Sequence, residues 1–508
     1  MQLGFSFSLL LASILFTLST GVQAAPTRRA NPGFVTLPIK RIHQARDDIH
    51  PHVFLQQHVN RGLKRLARMT GREAPSDLEL RENLNKRLYI PASGTGSRQS
   101  KRFDRNGAGR RISTTNVAAK NRKAKGNGNG RNSKNNGGNN ATNGTANTGP
   151  GFSEAALTAA LSGGLAKANT PTADNSLGLD IEANDVGYIA TIQMGTPPRD
   201  FAILMDSGSA DLWVGAEGCQ SEDGGDCGDH VFLGTESSTS FVDTNKAFQI
   251  TYGSGAVAGN IVTDDITVAG LSLKAHTFGV ALQETVDFSS NQVPFDGLMG
   301  LAQSTLSSQN TLTPVESLAQ NGLIADAITS YKISRVADGK NDGEITFGGL
   351  DTSKFDQASL VTFNNVNNQG FWEGSMTVSV NGQDLGLKGR TAILDTGTTL
   401  IIAPAADATA VHQQIPGAQS DGQGGFTIPC TTTATVALTF GGQAFEINSQ
   451  DLLFAPVDTN DLKGDCVSGI TSGNIGGANE WLVGDVFLKN AYFSTDVTKN
   501  TISLAKLV

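Results

Sequence analysis

Two short segments of the chain carry the same arrangement of a carboxylate, hydroxyl groups and a glycine after an apolar run. In the first, Asp206 is followed by Ser207, Gly208 and Ser209, and in the second, Asp395 is followed by Thr396, Gly397 and Thr398. Two carboxylates brought close together cannot both ionise, so one keeps its proton while the other acts as a base. Such a pair can take a proton from a bound water and polarise a carbonyl oxygen. The repeat therefore predicts a catalytic pair, Asp206 and Asp395, that needs no metal, cofactor or covalent enzyme intermediate.

The glycines and the outer hydroxyls of the two segments are predicted to support this pair. Without a Cβ, Gly208 and Gly397 let backbone approach the site closely. The hydroxyls of Ser209 and Thr398 can orient the outer carboxylate oxygens through charge-assisted hydrogen bonds. The alternative is two unrelated turns in which Asp caps the backbone and Gly adopts a positive φ. One such triplet alone favours that alternative, whereas two triplets in the same apolar context favour a paired site.

Short strands must deliver these segments to one site, and the surrounding sequence is typical of strands. From about Asp185 onward, short β-rich runs alternate with Gly, Asn and Asp turns. Glycine accounts for 59 of the 508 residues, a share well above the average of about 7%. Runs that favour helices are scarce in the second half of the chain. We therefore expect a mainly β protein, with room for two or three domains in 508 residues.

The amino terminus is typical of a secretory signal peptide. An apolar stretch from Phe5 to Leu18 precedes small residues at 21–25. The alternative is an uncleaved membrane anchor, because the positively charged region before the apolar stretch is weak. No later segment of the sequence is apolar enough to span a bilayer, so we expect the mature protein to have no membrane contact. Secretion from the cell is expected, with an acidic vacuole as the alternative destination.

The net charge of −8 hides two halves of opposite sign. Up to Thr170 there are 26 Lys and Arg against 8 Asp and Glu, and beyond it there are 13 against 39. A basic stretch often indicates nucleic-acid or acidic-membrane binding, but this one follows an export signal and precedes an acidic body. We expect it to bind that body by charge at neutral pH and to loosen as carboxylates protonate. The alternative is a solvated basic tail.

Between the signal and the acidic body, the sequence changes character near residue 106. The part from 34 to 90 carries apolar residues at spacings consistent with short amphipathic helices, which could fold against the body. From 106 to 150 the chain is rich in Asn, Gly and Lys and is too polar to bury a core. It holds glycosylation sequons at Asn140 and Asn143. Basic pairs that a processing protease could cut stand at Lys86-Arg87, Lys101-Arg102 and Arg110-Arg111.

All four cysteines lie beyond Asp185, and an even number in an exported protein indicates disulfides. Pairing Cys219 with Cys227 and Cys430 with Cys466 keeps each loop local. The alternative is buried free thiols. The cysteine spacing fits no zinc ribbon or finger, and no metal is expected.

Five motifs, in this order, resemble those of the pepsin family of aspartic proteases. They are Asp-Ser-Gly-Ser-Ala-Asp-Leu-Trp-Val from Asp206, Tyr-Gly-Ser-Gly from Tyr252, Phe-Asp-Gly-Leu-Met-Gly-Leu-Ala from Phe295, Asp-Thr-Gly-Thr-Thr from Asp395 and Trp-Leu-Val-Gly-Asp-Val-Phe-Leu from Trp481. The resemblance covers about Asp185 to Val508, with a looser likeness to a family prosegment around 34–90. Motifs of this number and order are highly specific.

This resemblance implies a bilobal pepsin-like fold with one catalytic Asp from each lobe. The substrate would lie extended in the cleft between the lobes, under a β-hairpin flap. Tyr252 would be the flap tyrosine, with its phenol hydrogen-bonded to Trp213, and a buried aromatic pair is the alternative. Gly253 and Ser254 would offer backbone groups to the substrate, and Thr399 is also assigned to substrate binding.

The first active segment departs from the family in carrying Ser207 where Thr is commoner. Both residues supply a hydroxyl, so the interlocking hydrogen bonds between the loops of Ser207 and Thr396 should survive. The elements 298–300 and 482–484 resemble the family strands that support these loops. We therefore predict an active acid endopeptidase, a monomer that cleaves proteins or peptides and is made as a zymogen inhibited by its own prosegment.

These patterns divide the chain into five predicted parts. They are a signal peptide (1–25), a basic prosegment (26–105), an Asn/Gly-rich disordered linker (106–175), an amino-terminal catalytic lobe (176–365) and a carboxyl-terminal catalytic lobe (366–508). The long linker leaves the mature amino terminus open between about Gly151 and Ser176.

Other functions fit the sequence less well. A pepsin-like binding or inhibitor protein without catalysis would be expected to lack one acid, its glycine or the flap tyrosine, and none of these is missing. The sequence holds no Gly-x-Ser-x-Gly elbow and no His-Glu-x-x-His zinc helix. Nucleic-acid binding would rest on the basic segment alone, and we expect no nucleic-acid partner.

Overall fold

The computed structural model describes residues 51–87, 89–91, 100–102, 151–473 and 479–508. All of them belong to one compact unit of the chain, 44–508. The predicted signal peptide, the linker up to residue 150, the sequons at Asn140 and Asn143 and the Arg110-Arg111 pair lie outside the described residues.

A nine-stranded sheet forms the amino-terminal lobe. Its strands are β3 (Leu165–Ala166), β5 (Asp180–Glu182), β6 (Gly187–Met194), β7 (Arg199–Asp206), β8 (Leu212–Ser221), β9 (Val242–Thr251), β10 (Ala256–Val268), β11 (Leu271–Glu284) and β12 (Gly297–Gly300). They lie in the order β3-β5-β6-β7-β12-β8-β11-β10-β9, and β10 also pairs with β6. Along β10, buried and less buried residues alternate, as a strand with one face on a core requires.

Two sheets form the carboxyl-terminal lobe. The larger has eight strands: β16 (Glu373–Val380), β17 (Gln383–Asp384), β18 (Arg390–Leu394), β19 (Ile401–Ala403), β22 (Val436–Phe440), β23 (Gln443–Ile447), β26 (Ile470–Ser472) and β27 (Glu480–Val483). Seven of them lie in the order β23-β22-β16-β18-β27-β19-β26, with β17 beside β16. The smaller sheet has β20 (Gln419–Ser420), β21 (Phe426–Pro429), β25 (Asp465–Ser468) and β24 (Leu453–Pro456), in that order.

A six-stranded sheet joins the two halves of the chain. Its strands are β4 (Ser176–Gly178), β13 (Ile328–Lys332), β14 (Glu344–Phe347), β15 (Val361–Asn364), β28 (Tyr492–Asp496) and β29 (Thr501–Ala505). Their order is β15-β29-β28-β13-β14-β4, so strands from the end of the chain lie between strands from its middle. The prediction of a mainly β, two-lobed fold is confirmed.

Helices are few and short among the described residues, apart from one near the start. They are α1 (Pro51–Met69), α2 (Asp77–Arg87), α3 (Glu154–Ser162), α4 (Val286–Ser289), α5 (Pro314–Gln320), α6 (Ala405–Gln413) and α7 (Asp485–Leu488). A small antiparallel pair, β1 (Tyr89–Pro91) and β2 (Ser100–Arg102), follows α2. Single 3₁₀ turns occur at Ser304–Leu306, Val336–Asp338 and Gln357–Ser359.

Helix α1 packs on the carboxyl-terminal lobe through one apolar face. Leu55, Val59, Leu63 and Leu66 recur at three- and four-residue intervals and are buried, which is the pattern of an amphipathic helix. They share an apolar cluster with body residues, including Phe371, Ile393, Leu400, Ile402, Phe454 and Leu482. The basic amino-terminal region thus contains a helix that buries its apolar face on the acidic body.

The predicted disordered linker is wrong for its last part, 151–175. Phe152 is only 8% exposed, and its N–H donates to the Leu462 carbonyl at 2.8 Å. Helix α3 follows, capped by Ser153, and β3 then pairs with β5. Farther on, the carboxylate of Glu344 accepts hydrogen bonds from the N–H groups of Thr172 and Ala173. The prediction extended the polar composition of 106–150 into a segment that is rich in alanine, and the long-range bonds tie this segment to both halves of the body.

Both disulfides join the cysteines that the sequence analysis paired. Cys219 is bonded to Cys227, and Cys430 to Cys466, and no described cysteine is a free thiol. The second bond connects the ends of β21 and β25 in the four-stranded sheet. Among the described residues, no helix is both long and apolar enough to cross a membrane.

Candidate active site

The two predicted catalytic acids come from equivalent positions in the two lobes. Asp206 is the last residue of β7, and Asp395 directly follows β18. In each lobe an apolar strand runs parallel beside the one that carries the acid: β12 beside β7, and β27 beside β18. Both carboxylates are fully buried. The elements 298–300 and 482–484 therefore lie where strands supporting the two active loops are needed.

Each acid is held by two hydrogen bonds from its own loop, and the two loops match. Gly208 N–H donates to Asp206 Oδ1 at 2.9 Å, and Ser209 Oγ–H donates to Oδ2 at 2.6 Å. In the other lobe, the Gly397 N–H donates to Asp395 Oδ1 at 2.9 Å, and the Thr398 hydroxyl donates to Oδ2 at 2.6 Å. Hydrogen bonds to a carboxylate fix its orientation and favour its charged form.

Ser207 and Thr396 lock the two loops together. The Ser207 N–H donates to Thr396 Oγ1 at 2.9 Å, and the Thr396 N–H donates to Ser207 Oγ at 3.0 Å. Each hydroxyl then donates across the interface, Ser207 to the Leu394 carbonyl at 3.1 Å and Thr396 to the Met205 carbonyl at 2.9 Å. Ser207 thus makes the bonds expected of a hydroxyl residue.

The glycines of the two loops are required by the closeness of the opposite carboxylate. A Cβ on Gly208 would lie 2.5 Å from Asp395 Oδ1, and a Cβ on Gly397 would collide with Asp206 Oδ1. Neither position leaves space for a side chain. Each acid therefore lies against the opposite active loop, which brings the two carboxylates close together, as a proton-sharing pair requires.

The electrostatic setting favours a proton on Asp395. Burial, and to a smaller extent the nearby Asp206 carboxylate, raises the pKa of Asp395 to about 6, although a neighbouring arginine and the loop hydrogen bonds oppose the shift. Two interacting carboxyls titrate as a pair. With one proton on the pair, one acid can act as a hydrogen-bond donor while the other acts as a base.

A β-hairpin made by β9 and β10 carries Tyr252 at its tip. The Tyr252 N–H donates to the Gly255 carbonyl at 2.6 Å, which closes the turn. Trp213 Nε1–H donates to the Tyr252 hydroxyl at 2.8 Å, and Phe288 meets both rings edge-on. Burial raises the pKa of Tyr252 well above its ordinary value, so the phenol stays protonated.

Of the other predicted binding residues, Gly253 and Ser254 lie half-buried in the hairpin turn. A Cβ on Gly253 would collide with the Arg61 carbonyl of α1, so the hairpin tip touches this helix. Thr399 lies beside the dyad loop, but its hydroxyl donates to the Val186 carbonyl at 3.0 Å. That hydroxyl is therefore engaged within the body.

Arg65 of α1 occupies the centre of the candidate site. Its guanidinium forms ion pairs with both Asp206 and Asp395, and its Nη2 donates to Asp395 Oδ1 at 2.8 Å. Its side chain is 12% exposed. Burial acts to lower the pKa of Arg65, but the two carboxylates raise it above its ordinary value. One fixed positive charge therefore lies against both acids.

Three further arginines attach α1 to the rim of the site. Arg68 Nη1 donates to the Thr251 carbonyl at 2.7 Å, beside the flap tyrosine. Arg72 pairs with Glu480 at 3.0 Å, and Arg61 lies 3.9 Å from Asp287. Sequence reasoning predicted attraction between the basic segment and the body but identified none of these partners. The charge and helical spacing of these arginines were the available signal. Charge and spacing do not specify which residues, hundreds of positions away, the arginines contact.

Asp485 is a second feature that sequence reasoning missed. It begins α7, is 1% exposed, and neither of its carboxylate oxygens has a hydrogen-bond partner among the described residues. Burial raises its pKa well above the ordinary value, against the opposing charge of Lys489 and with help from Asp395. Lys489 is itself paired with Asp185 at 3.0 Å and Asp451 at 3.1 Å. A buried carboxyl whose neutral form is favoured by burial therefore lies behind the loop of Asp395.

Comparison with known proteins gives consistent matches to this architecture. The profile of the eukaryotic aspartyl protease family matches residues 187–507. A probable aspartic-type endopeptidase CTSD from Arthroderma benhamiae is 37% identical over 339 residues, which cover 66% of this chain and 64% of that protein. The aspartic-type endopeptidase ctsD from Aspergillus fumigatus is 34% identical over 340 residues, 66% of this chain and 69% of that protein. Rhizopuspepsin from Rhizopus chinensis is 32% identical over 314 residues, 61% of this chain and 75% of that protein.

The match to the Arthroderma protein spans less than two thirds of that relative's length. The family profile, in contrast, covers well over half of the present chain, and its range includes both acids, both active loops and the flap hairpin. This chain belongs to the eukaryotic aspartyl protease family.

Proposed function

We propose that the protein is an acid-acting aspartic endopeptidase that hydrolyses internal peptide bonds of proteins. The observation that carries this proposal is the pair of buried carboxylates, each held by its own loop and locked to the other by Ser207 and Thr396. Electrostatic groups arranged in advance around a reacting bond account for much of enzymatic rate enhancement.

The reaction follows from one proton shared by the pair. The ionised carboxylate removes a proton from a water molecule, and the resulting hydroxide oxygen attacks the carbonyl carbon of the peptide. The protonated carboxyl, favoured at Asp395, donates a hydrogen bond to the carbonyl oxygen. A proton is then transferred to the peptide nitrogen, the C–N bond breaks, and an acid and an amine leave. Because one carboxyl must be protonated, we expect activity to fall once the pH exceeds the pKa of Asp395, which burial raises above its ordinary value.

The same proposal includes synthesis as a zymogen, with α1 as the inhibitory element. Arg65 forms ion pairs with both acids, so its guanidinium occupies space beside the carboxylates that a water and a peptide carbonyl would need. Below its pKa of about 6, Asp395 gains a proton and loses its charge attraction to Arg65. Glu480 would lose its attraction to Arg72 only at lower pH, because burial acts to raise its pKa but Arg72 holds it below its ordinary value. Acid would therefore weaken the attachment of α1.

Arg65 can be tested directly in the full chain. We expect wild-type protein purified at neutral pH to be latent and to cleave a quenched fluorescent peptide only after acidification. Arg65→Ala should remove the block and give activity, or processing of the chain, at a higher pH. Arg65→Lys should retain most of the latency, and Arg61→Ala, which affects a loose surface pair at 3.9 Å, should behave as wild type. Unchanged latency in Arg65→Ala would contradict this role.

We also propose that the mature enzyme keeps the segment 151–175. The contacts of Phe152 with Leu462, and of Thr172 with Glu344, support this, because cleavage nearer Ser176 would remove a buried aromatic and the partners of a buried carboxylate. β4 is also paired with β14 while α1 is still attached. Amino-terminal sequencing of the secreted enzyme should give a start at or before Phe152. A start near Ser176 would contradict the proposal.

Secretion, monomeric state and glycans at Asn140 and Asn143 remain part of the proposal. The signal-like amino terminus and the two disulfides support export, because disulfides persist in oxidising compartments. Fractionation of the producing cells should recover the protein in the medium, whereas recovery in the vacuole would favour the alternative destination. Treatment with an endoglycosidase should lower the mass of the full chain.

A further inference from the structure

Glu480 lies on the side of the candidate cleft that α1 covers. It begins β27, in which Leu482 is fully buried in the apolar cluster shared with α1. Side chains two residues apart in a strand point to the same face, so Glu480 and Leu482 face α1. Trp481 points the other way, where its Nε1–H donates to Asp407 at 3.0 Å.

In the uncleaved chain, Glu480 binds a guanidinium by two hydrogen bonds. Arg72 Nη1 donates to Glu480 Oε2 at 3.2 Å, and Nη2 donates to Oε1 at 3.0 Å. The Arg72 N–H donates to the Ala67 carbonyl at 2.8 Å, so the end of α1 holds the arginine in place. The Glu480 side chain is 25% exposed even with this partner. Burial acts to raise the pKa of Glu480, but Arg72 holds it below its ordinary value.

The register of β27 places Glu480 close enough to the dyad to meet a substrate. Glu480 is paired with Thr391 in the neighbouring strand β18, four residues before Asp395. At about 3.3 Å per residue, the pair of Glu480 and Thr391 lies about 13 Å from Asp395 along the direction of β18. An extended peptide has the same rise, so a side chain within about four residues of the scissile bond can reach Glu480.

We propose that Glu480 is a specificity-determining residue that binds a lysine or arginine side chain of the substrate once α1 has left. In the zymogen, Arg72 then occupies the position at which a basic side chain of the substrate binds in the active enzyme. Leu482, on the same face of β27, belongs to an apolar cluster with Ile402 and Phe371, so the Glu480 carboxylate places a charge at the edge of an apolar surface. The inference rests on the proposed endopeptidase function.

The test uses acid-activated enzyme and a set of fluorogenic peptides that share one cleavable sequence. Lysine replaces glutamine at each position up to four residues on either side of the scissile bond. We expect one position at which lysine raises kcat/KM about five- to tenfold. Glu480→Gln should abolish that gain, so that the lysine peptide and the parent peptide are cleaved with similar kcat/KM, and Glu480→Lys should turn the gain into a preference against lysine.

Glu446→Gln, at an exposed position on β23, is the matched control and should keep the lysine preference. Cleavage of the parent peptide by the Glu480 variants shows that they fold. An active enzyme without a lysine preference, or with one that survives in Glu480→Gln, would overturn the role of Glu480 and leave the endopeptidase proposal standing. Failure to cleave any peptide after removal of α1 would overturn both.

Discussion

The two active loops are nearly identical in their hydrogen bonds, but the interiors behind them differ. Asp206 and Asp395 each accept one N–H at 2.9 Å and one hydroxyl at 2.6 Å from their own loops. By strand register, Gly300 lies beside Asp206 and Gly484 beside Asp395. The next residue is Leu301 in one lobe and the buried acid Asp485 in the other.

The repeated loop sequences and the residues behind the loops therefore have different effects. The repeated loop sequence holds each carboxylate in a fixed orientation, and it does so in the same way in both lobes. The surroundings behind the loops are not repeated, because only the loop of Asp395 is followed by a buried acid, Asp485. Symmetry should therefore hold for changes within the loops and fail for changes behind them.

Among changes that keep both acids, the largest effect is expected from the hydroxyls that lock the loops. Ser207→Ala or Thr396→Ala leaves a buried N–H and a buried carbonyl without partners, at about 1–3 kcal/mol each. We expect either variant to lose about 3 kcal/mol of unfolding free energy and about 100-fold in kcat/KM, because small misplacements of reacting groups are costly. Urea unfolding and peptide kinetics measure both quantities.

Because the two loops have matching hydrogen bonds, the loss of kcat/KM should differ by less than about twofold between Ser207→Ala and Thr396→Ala. Ser207→Thr and Thr396→Ser keep the hydroxyl and should stay close to wild type. A large loss from one alanine variant and none from the other would contradict the equivalence of the loops.

Each lobe also buries one histidine, and here the lobes should differ. Burial lowers the pKa of both His276 and His412 to about 4. Both are neutral in the fold near pH 5, whereas the unfolded chain takes up protons below about pH 6.5. Each therefore destabilises the protein progressively as the pH falls from 6.5 to 4, by up to about 3 kcal/mol.

Replacing either histidine by leucine should remove about 3 kcal/mol of this acid-dependent loss. His276 Nε2 has no hydrogen-bond partner among the described residues, so His276→Leu should cost little at pH 7.5. His412 is bonded to Ala408 and Ser468, so His412→Leu should lose stability at pH 7.5. The free energy of unfolding should be measured at pH 7.5 and at pH 4, in an Asp206→Asn background that prevents self-digestion. An unchanged pH dependence would contradict the buried, neutral state of these histidines.

Asp485→Asn tests the difference behind the loops. Because the pKa of Asp485 is raised, the fold keeps this acid protonated while the unfolded chain ionises above about pH 3.9. Asp485 therefore lowers stability as the pH rises, by about 1.4 kcal/mol per pH unit above that value. The neutral amide should match wild type at pH 3 and be about 1.5 kcal/mol more stable at pH 5. Equal stability at both pH values would show that Asp485 is ionised in the fold.

The smallest effect is expected at the flap, which the carboxyl-terminal lobe does not repeat. Tyr252→Phe removes the acceptor of the Trp213 N–H, which is worth about 1 kcal/mol, and should lower kcat/KM about fivefold. Tyr331→Phe is the matched control, because its buried hydroxyl has no hydrogen-bond partner among the described residues. An equal effect of the two substitutions would remove the special role of the Tyr252 hydroxyl.

Sequence reasoning succeeded where chemistry is local or repeated. Within each loop, the acid, its glycine and the outer hydroxyl of Ser209 or Thr398 lie within four residues of one another, so spacing alone predicts their bonds. The mainly β fold also follows from the alternation of short strands and turns. The pairing of Trp213 with Tyr252 depended on the family resemblance, because 39 positions separate the two residues.

Sequence reasoning failed where the fold brings distant residues together. Arg65 reaches Asp206 across 141 positions and Asp395 across 330, and no local pattern distinguishes it from the other arginines of α1. The segment 151–175 is rich in alanine and other small residues, and its order depends on partners such as Leu462 and Glu344. The neutral state of Asp485 likewise follows from burial, which a sequence does not display.

The most direct test of the account compares Asp206→Asn and Asp395→Asn with wild type. Each chain is acidified, its α1 segment is removed by an added protease, and peptide cleavage is measured from pH 3 to pH 7. Since each acid takes part in proton transfer, both variants should lose at least about 1,000-fold in kcat/KM, while wild type cleaves most rapidly in acid. Cleavage by either variant within tenfold of wild type would contradict a shared catalytic pair.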